Sequence, residues 1–253
     1  MTTGQSPSNS EAVISVRNLS KTFGKNAVLK AFNLDLNPGE NLAVLGKSGS
    51  GKSVLIKCII GLINADSGSI RVFGEDVSTM SHNELDRMRT RVGFLFQSNA
   101  LYDSMTVREN LEFPLRRHWM KSSKSNMKDQ VMEALENVGL AHTIDLMPEE
   151  LSGGMRKRVA LARTLILKPE VILYDEPTTG LDPITGKEIS QLMVTIQKKY
   201  NTSSILISHD LNCIKTSANR IILLLNGRCY ATGTFAEFRD SNDLEIKQYF
   251  NGT

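Results

Sequence analysis

Apolar and polar residues alternate along 12–19 (Ala-Val-Ile-Ser-Val-Arg-Asn-Leu), the period-two pattern of a strand with one buried face. Lys21-Thr22-Phe23-Gly24 reads as a turn, and Val28 to Leu36 as a second strand closed by Asn37-Pro38-Gly39-Glu40. An antiparallel layer therefore opens the chain. Leu42-Ala43-Val44-Leu45 is an unbroken apolar run, as expected of a strand covered on both faces. Val54, Leu55, Ile56, Ile59 and Ile60 then fall on one helical face. Asp66-Ser67-Gly68 turns into a strand over 69–73. Ser81 caps a helix carrying Glu84, Leu85, Met88 and Arg89, and a strand over 92–96 ends at Gln97.

From Ser98 to about Leu167 strand patterns give way to helical ones. Thr106 is an N-cap for a helix beginning at Val107. Lys121 to Asn126 is a polar linker. Val131, Leu135 and Val138 mark a second helix, and Met155, Val159, Ala162 and Ile166 a third. Strand patterns return at Val171-Ile172-Leu173-Tyr174, followed by a helix over 184–199, strands over 204–207, 221–225 and 227–233, and a helical tail. The pattern predicts one α/β domain over 12–253. Residues 12–97 and 168–253 form its core with an N-terminal antiparallel β subdomain, and 98–167 form an inserted α-helical subdomain. No long-range repeat doubles it.

Composition narrows this picture. In 253 residues, 40% are hydrophobic and 23% charged, as in a soluble globular protein, and a formal charge of +3 gives no argument for nucleic acid. No apolar run reaches the ~18 residues that a membrane span needs. Residues 1–11 read as a disordered tail without the apolar core of a signal peptide, which points to the cytosol. Cys58, Cys213 and Cys229 are widely separated, as packing thiols are.

The chemistry centres on Gly46-Lys47-Ser48-Gly49-Ser50-Gly51-Lys52-Ser53, which fits the phosphate-binding pattern G-x-x-x-x-G-K-[ST]. The glycines let successive backbone N–H groups turn inward as an anion nest, and the loop opens a helix whose positive end faces the same point. Lys52 adds a charge for the β- and γ-phosphates, and the Ser53 hydroxyl suits Mg²⁺. The strand ending in Asp175-Glu176 supplies one carboxylate for a metal shell and one to take a proton from attacking water. Taken alone, this pair reads equally well as two acids capping a strand. Leu151-Ser152-Gly153-Gly154-Met155 places a serine and two glycines before a long helix, a second phosphate site. One nucleotide does not need two such sites in one chain, but a symmetric dimer does.

With Gln97, Gly180-Leu181-Asp182 and His209 in this order and spacing, the chain resembles an ABC-transporter ATPase along nearly its whole length. The resemblance implies a P-loop NTPase (RecA-like) core in the ABC ATPase fold, with ATP and Mg²⁺ bound. It implies that Phe23 stacks on adenine and that residues 46–53 wrap the phosphates. Ser53, Gln97 and Asp175 would serve Mg²⁺. Glu176 would be the base, His209 the γ-phosphate switch and Asp182 a dimer contact, while Ser152, Gly153 and Gly154 would meet ATP in trans. Val54 stands where most relatives carry a hydroxyl, and Met155 where glutamine is common. These departures, the run Phe94 to Arg116 and the closing Gln-Tyr-Phe-Asn-Gly are similar to the ATPases of Mla-type (Mce-associated) phospholipid transporters of Gram-negative bacteria.

That branch implies a homodimer on the cytoplasmic face of the inner membrane, bound to a separate permease and working with a periplasmic Mce-type substrate-binding protein. Lipoprotein or another amphiphile is the alternative cargo, and a soluble ABC ATPase of translation or DNA repair the alternative class. An ATP-binding scaffold without turnover is disfavoured by intact Glu176 and His209. The resemblance also places the permease's docking helix on Ser98 to Leu115, where Leu101 and Tyr102 are expected at the groove and Leu111 and Phe113 in the core. Arg116, Arg117, Lys121, Lys124 and Lys128 read as a solvated face or one near anionic headgroups. Arg156, Lys157 and Arg158 are expected on the outer side of their helix, and His82, His118 and His142 on the surface.

Overall fold

The structure, a computed structural model, describes residues 12–118 and 124–250. The tail expected over 1–11 and the basic residue Lys121 lie outside them. Strands β1 (Ile14–Phe23) and β2 (Asn26–Leu36) form a hairpin. β1 continues through Phe23, so the turn is Gly24-Lys25 and not the expected Lys21–Gly24. Register shifts after Leu19 and Lys21 disguise this extension in the sequence, and Gly24 at φ 59° makes the two-residue reversal.

β4 (Ser67–Val72) pairs with β1, and the two-residue β5 (Glu75–Asp76), too short to leave a pattern, completes an antiparallel sheet of order β2-β1-β4-β5 once β3 (Asn41–Leu45) is set aside. β3 belongs to a second sheet with β6 (Val92–Leu95), β7 (Val171–Asp175), β8 (Ser203–Ile207), β9 (Arg220–Leu225) and β10 (Arg228–Gly233), in the order β10-β9-β3-β8-β7-β6. All neighbours are parallel except β10 on β9. Every residue of β3, β7 and β8 is buried, which is why Leu42–Leu45 and Val171–Tyr174 read as unbroken apolar runs.

Helix α1 (Lys52–Ile59) packs with both sheets into one core that includes Ile14, Phe32, Leu55, Ile59 and Leu173. The capping box at Ser81 and Glu84 starts α2 (His82–Arg91), as expected. On the other face, α6 (Pro183–Tyr200) and α7 (Leu211–Ser217) cover Tyr174, Leu206 and Leu223, joined by α8 (Phe235–Arg239) and α9 (Leu244–Phe250). α7 was not anticipated. Its one clear sequence signal is Asp210, whose carboxylate accepts from the N–H groups of Asn212 and Cys213.

α3 (Val107–His118), α4 (Lys124–Glu136) and α5 (Gly153–Leu165) enclose a third core of Val107, Leu111, Val131, Leu135, Val138 and Val159. α4 starts at Lys124, inside the stretch expected to be a linker. Thr106 caps α3: its Oγ1 accepts from Glu109 N, and the Thr106 N–H donates to the Glu109 carboxylate.

Three expectations fail in this region. Lys157 is 2% exposed, not on an outer face. Phe113 does not fill the core but stays 37% exposed, its ring 4.9 Å from that of Tyr102, which is 43% exposed. Leu101 turns inward instead, against the two cores that α5 separates.

Candidate nucleotide site

The parallel order β3-β8-β7 brings the ends of these strands together, so the loop after Leu45 faces Asp175 and Glu176 across one strand. A Cβ on Gly46 would lie 2.7 Å from Leu224 O, so only glycine fits at the loop's start. Gly51 sits at φ 104°, and a Cβ there would meet Val28 Cγ1 at 2.6 Å. Lys52 is buried, and its Nζ donates to Gly46 O (2.8 Å) and Lys47 O (3.1 Å), with Glu176 Oε1 3.9 Å away. Burial lowers its pKa, opposed by the charges of Glu176 and Asp175.

Ser53 Oγ donates to Asp175 Oδ1 at 2.9 Å. Burial raises the Asp175 pKa against that bond, so the carboxylate lacks the solvation that a cation would supply. Glu176 holds a left-handed backbone at φ 51°, fixed by its N–H donating to Ile207 O (2.9 Å). Such a conformation is uncommon outside glycine and clusters at functional sites. Its Oε2 accepts from Thr179 Oγ1 (3.2 Å) and lies 2.8 Å from His209 Nδ1.

Ser48, Gly49, Gly51, Lys52, Ser53, Gln97, Glu176 and His209 line one cleft of about 520 Å³. A hydroxyl, a carboxylate and an amide oxygen are hard donors suited to Mg²⁺, which takes few protein ligands and leaves positions for phosphate oxygens. Among the described residues no cluster of His, Cys, Asp and Glu offers a cage for a softer metal.

Other predicted residues lie apart. Phe23 does not line this cleft. It is half exposed at the end of β1, and the next strand's Asn26, Ala27 and Val28 line a recess beside Lys47 to Ser50. Ser152 caps α5, its Oγ accepting from Met155 N, and Ser152 and Gly153 are exposed away from the cleft. A Cβ on Gly154 would lie 2.6 Å from Thr185 Cγ2, in the first turn of α6, where Asp182 is the N-cap. The serine-glycine loop and the Asp182 turn thus form one exposed surface, with Ile184 74% exposed beside them.

Sequence reading missed three polar residues. Asn110, fully buried, donates to Tyr102 O, Met105 O and Thr106 O and accepts from Tyr102 N, pinning the 102–106 loop. Lys157 donates to Gln97 O (2.9 Å), and burial takes its pKa down to about 8 with Asp175 opposing. Thr178 donates to Asp210, joining the segment after Glu176 to that after His209. Asn110 and Lys157 are both legible in principle, since each lies three residues from an apolar position on the buried side of its helix (Val107 and Ala160).

The model of a family described as ABC transporter matches residues 29–179. The chain belongs to the ABC transporter family. Within it, the chain is an ATP-binding and ATP-hydrolysing subunit that uses Mg²⁺. It is 39% identical over 239 residues to a probable ribonucleotide transport ATP-binding protein of Mycobacterium leprae, spanning 94% of this chain and 69% of that protein. It is 36% identical to the intermembrane phospholipid transport system ATP-binding protein of Haemophilus influenzae, over 95% of this chain and 90% of that one. It is also 34% identical to a methionine import ATP-binding protein of Campylobacter jejuni, over 94% and 75%. Its fold matches the dimeric post-hydrolysis state of the ATP-binding cassette MJ0796 bound to ADP and Pi, with a TM-score of 0.79 and 30% identity over 88% of this chain and 98% of that one. No helix among the described residues is long and apolar enough to cross a membrane.

Proposed function

We propose that this ABC subunit powers phospholipid transport between membranes, as a homodimer at the cytoplasmic face of an inner membrane, bound to a separate permease that works with an Mce-type substrate-binding protein. The observation that carries the cargo is the similarity to the H. influenzae phospholipid transport ATPase over 90% of that protein's length. The departures at Val54 and Met155 and the closing Gln-Tyr-Phe-Asn-Gly support the same branch.

In this reading the loop 46–53 and Lys52 hold the phosphates, and Phe23 at the hairpin tip stacks on adenine. Ser53, Asp175 and Gln97 would hold Mg²⁺, which neutralises charge on the β- and γ-phosphates. Lys52 exchanges its two carbonyl partners for phosphate oxygens. Glu176 takes the proton of the attacking water, and its rigid left-handed turn aims the carboxylate without reorganisation. His209 holds the γ-phosphate side of the cleft. The surface of Ser152, Gly153, Gly154 and Asp182 closes over the nucleotide of a second subunit, which explains why it is exposed and why it stands apart from its own chain's cleft. ATP binding then joins two subunits and hydrolysis parts them.

The exposed pair Tyr102 and Phe113, backed by Arg163 with its Cζ 5.8 Å from the Tyr102 ring, offers the permease an aromatic surface on a loop that Asn110 makes rigid. Leu101 supports that loop from inside. The experiment is purification of the tagged subunit from its native membrane with identification of partner and bound lipid. Phospholipid and an Mce-type protein are expected. Recovery of a methionine- or nucleotide-binding partner without lipid refutes the cargo.

A further inference from the structure

We propose that Lys157 is a positioning residue for ATP hydrolysis, fixing the main chain of Gln97 to helix α5 so that Gln97 and the Ser152–Gly154 loop move as one body. The inference rests on the reading above, in which Gln97 serves the metal and Ser152–Gly154 the partner's ATP.

The Lys157 side chain is 2% exposed, and its Nζ donates to Gln97 O at 2.9 Å. The acidic group whose charge acts on it is Asp175, at the end of β7. The neighbours one turn further along the helix, Ala160 and Leu161, are apolar and fully packed. A methionine would fill the same space without desolvating a cation, so packing alone does not account for a lysine here. What the ammonium adds is a strong, directed donor aimed at one carbonyl.

That carbonyl lies in the loop by which the chain leaves the sheet, two residues past β6. β6 ends at Leu95, and Asn99 and Ala100 both take left-handed conformations, at φ 66° and 52°. Two more side chains of α5 hold the same stretch. Thr164 Oγ1 donates to Phe94 O (3.3 Å), and Arg163 Nη2 donates to Asn99 O (3.2 Å). Residues 94–99 thus hang from α5 at three carbonyls, and Lys157 holds the one at the glutamine itself. Ser152 caps the same helix about 7.5 Å away at 1.5 Å per residue. Within one rigid helix, a displacement of the serine-glycine loop is therefore passed to Gln97.

The test uses Lys157→Met, Gln97→Ala and the double variant in the full chain. It reads kcat, the Mg²⁺ concentration for half-maximal hydrolysis, the thermal melt, and binding of a fluorescent ATP analogue in EDTA. Lys157→Met should lower kcat about tenfold and raise the Mg²⁺ requirement several-fold, with analogue binding within about twofold of the parent. Lys157→Arg, which keeps the cation and its donors, should retain most of the activity.

Added to Gln97→Ala, Lys157→Met should change kcat by less than about twofold, because the side chain it positions is already gone. An equal loss in both backgrounds, or none in either, overturns the assignment. A parental Mg²⁺ requirement in Gln97→Ala alone overturns the metal role of Gln97 and this assignment with it. If Lys157→Met lowers the melt by more than about 10 °C, Lys157→Gln takes its place in the cycle and the same non-additivity decides.

Discussion

Glu176→Gln isolates proton transfer from binding. The substitution keeps the shape of a side chain whose Oε2 meets Thr179 and His209 and whose Oε1 faces Lys52. An amide can still accept from Thr179, but the buried pair with Lys52 is broken, so the melt should fall by several degrees without loss of the fold. The lost attraction between Glu176 and Lys52 across 3.9 Å is about 1 kcal/mol in water and about 4 at the effective dielectric of a protein surface. That attraction competes with the phosphates for Lys52, so ATP affinity should hold or rise. Loss of a general base removes ~10²–10⁴ in rate, about 3–5 kcal/mol of transition-state stabilisation. Phosphate release at saturating Mg-ATP should fall by at least a hundredfold on that scale, while a fluorescent ATP analogue binds as in the parent. Turnover within twofold of the parent would refute Glu176 as the base. A loss of ATP binding would show instead that its carboxylate builds the loop.

Other consequences follow from particular contacts. Gly154→Ala forces a methyl to 2.6 Å from Thr185 Cγ2, an overpacking of ~1–3 kcal/mol that should lower the melt and slow hydrolysis, and Thr185→Ser, which removes the opposing methyl, should recover both. Phe23→Ala should weaken ATP binding by ~1–2 kcal/mol if the ring stacks on the base, while Phe23→Tyr stays near neutral in the same titration. Equal losses in both would make Phe23 a packing residue. Tyr102→Asp with Phe113→Asp should leave the melt and ATP binding unchanged yet abolish permease recovery in a pull-down. Full recovery would remove the docking surface from this loop.

Much of the fold was legible because it rests on period. The fully buried strands β3 and β7 read as apolar runs, and the loop 46–53 carries its chemistry in its spacing. The Ser81 and Thr106 caps were readable for the same local reason. The failures are tertiary. Lys157 looks like one of three solvent-facing cations beside Arg156 and Arg158, until the β6 exit loop is laid over it. Phe113 and Leu101 exchange their expected places because Asn110 ties the 102–106 loop down, turning Leu101 in and leaving the two rings outside. The left-handed turn at Glu176 has no signal in a single sequence, since it depends on a bond to the neighbouring strand at Ile207.

The central claim is that each ATP is held between the loop 46–53 of one subunit and the Ser152–Gly154 surface of another. Light scattering on a sizing column tests it most directly, using Glu176→Gln to hold the nucleotide in place. With Mg-ATP this variant should elute at the mass of two chains, and without nucleotide at the mass of one. Adding Ser152→Arg should leave ATP bound, and a melt controls for the ~1 kcal/mol worth of the lost α5 cap, but the mass should stay at one chain. An ATP-dependent dimer that survives Ser152→Arg would contradict the account.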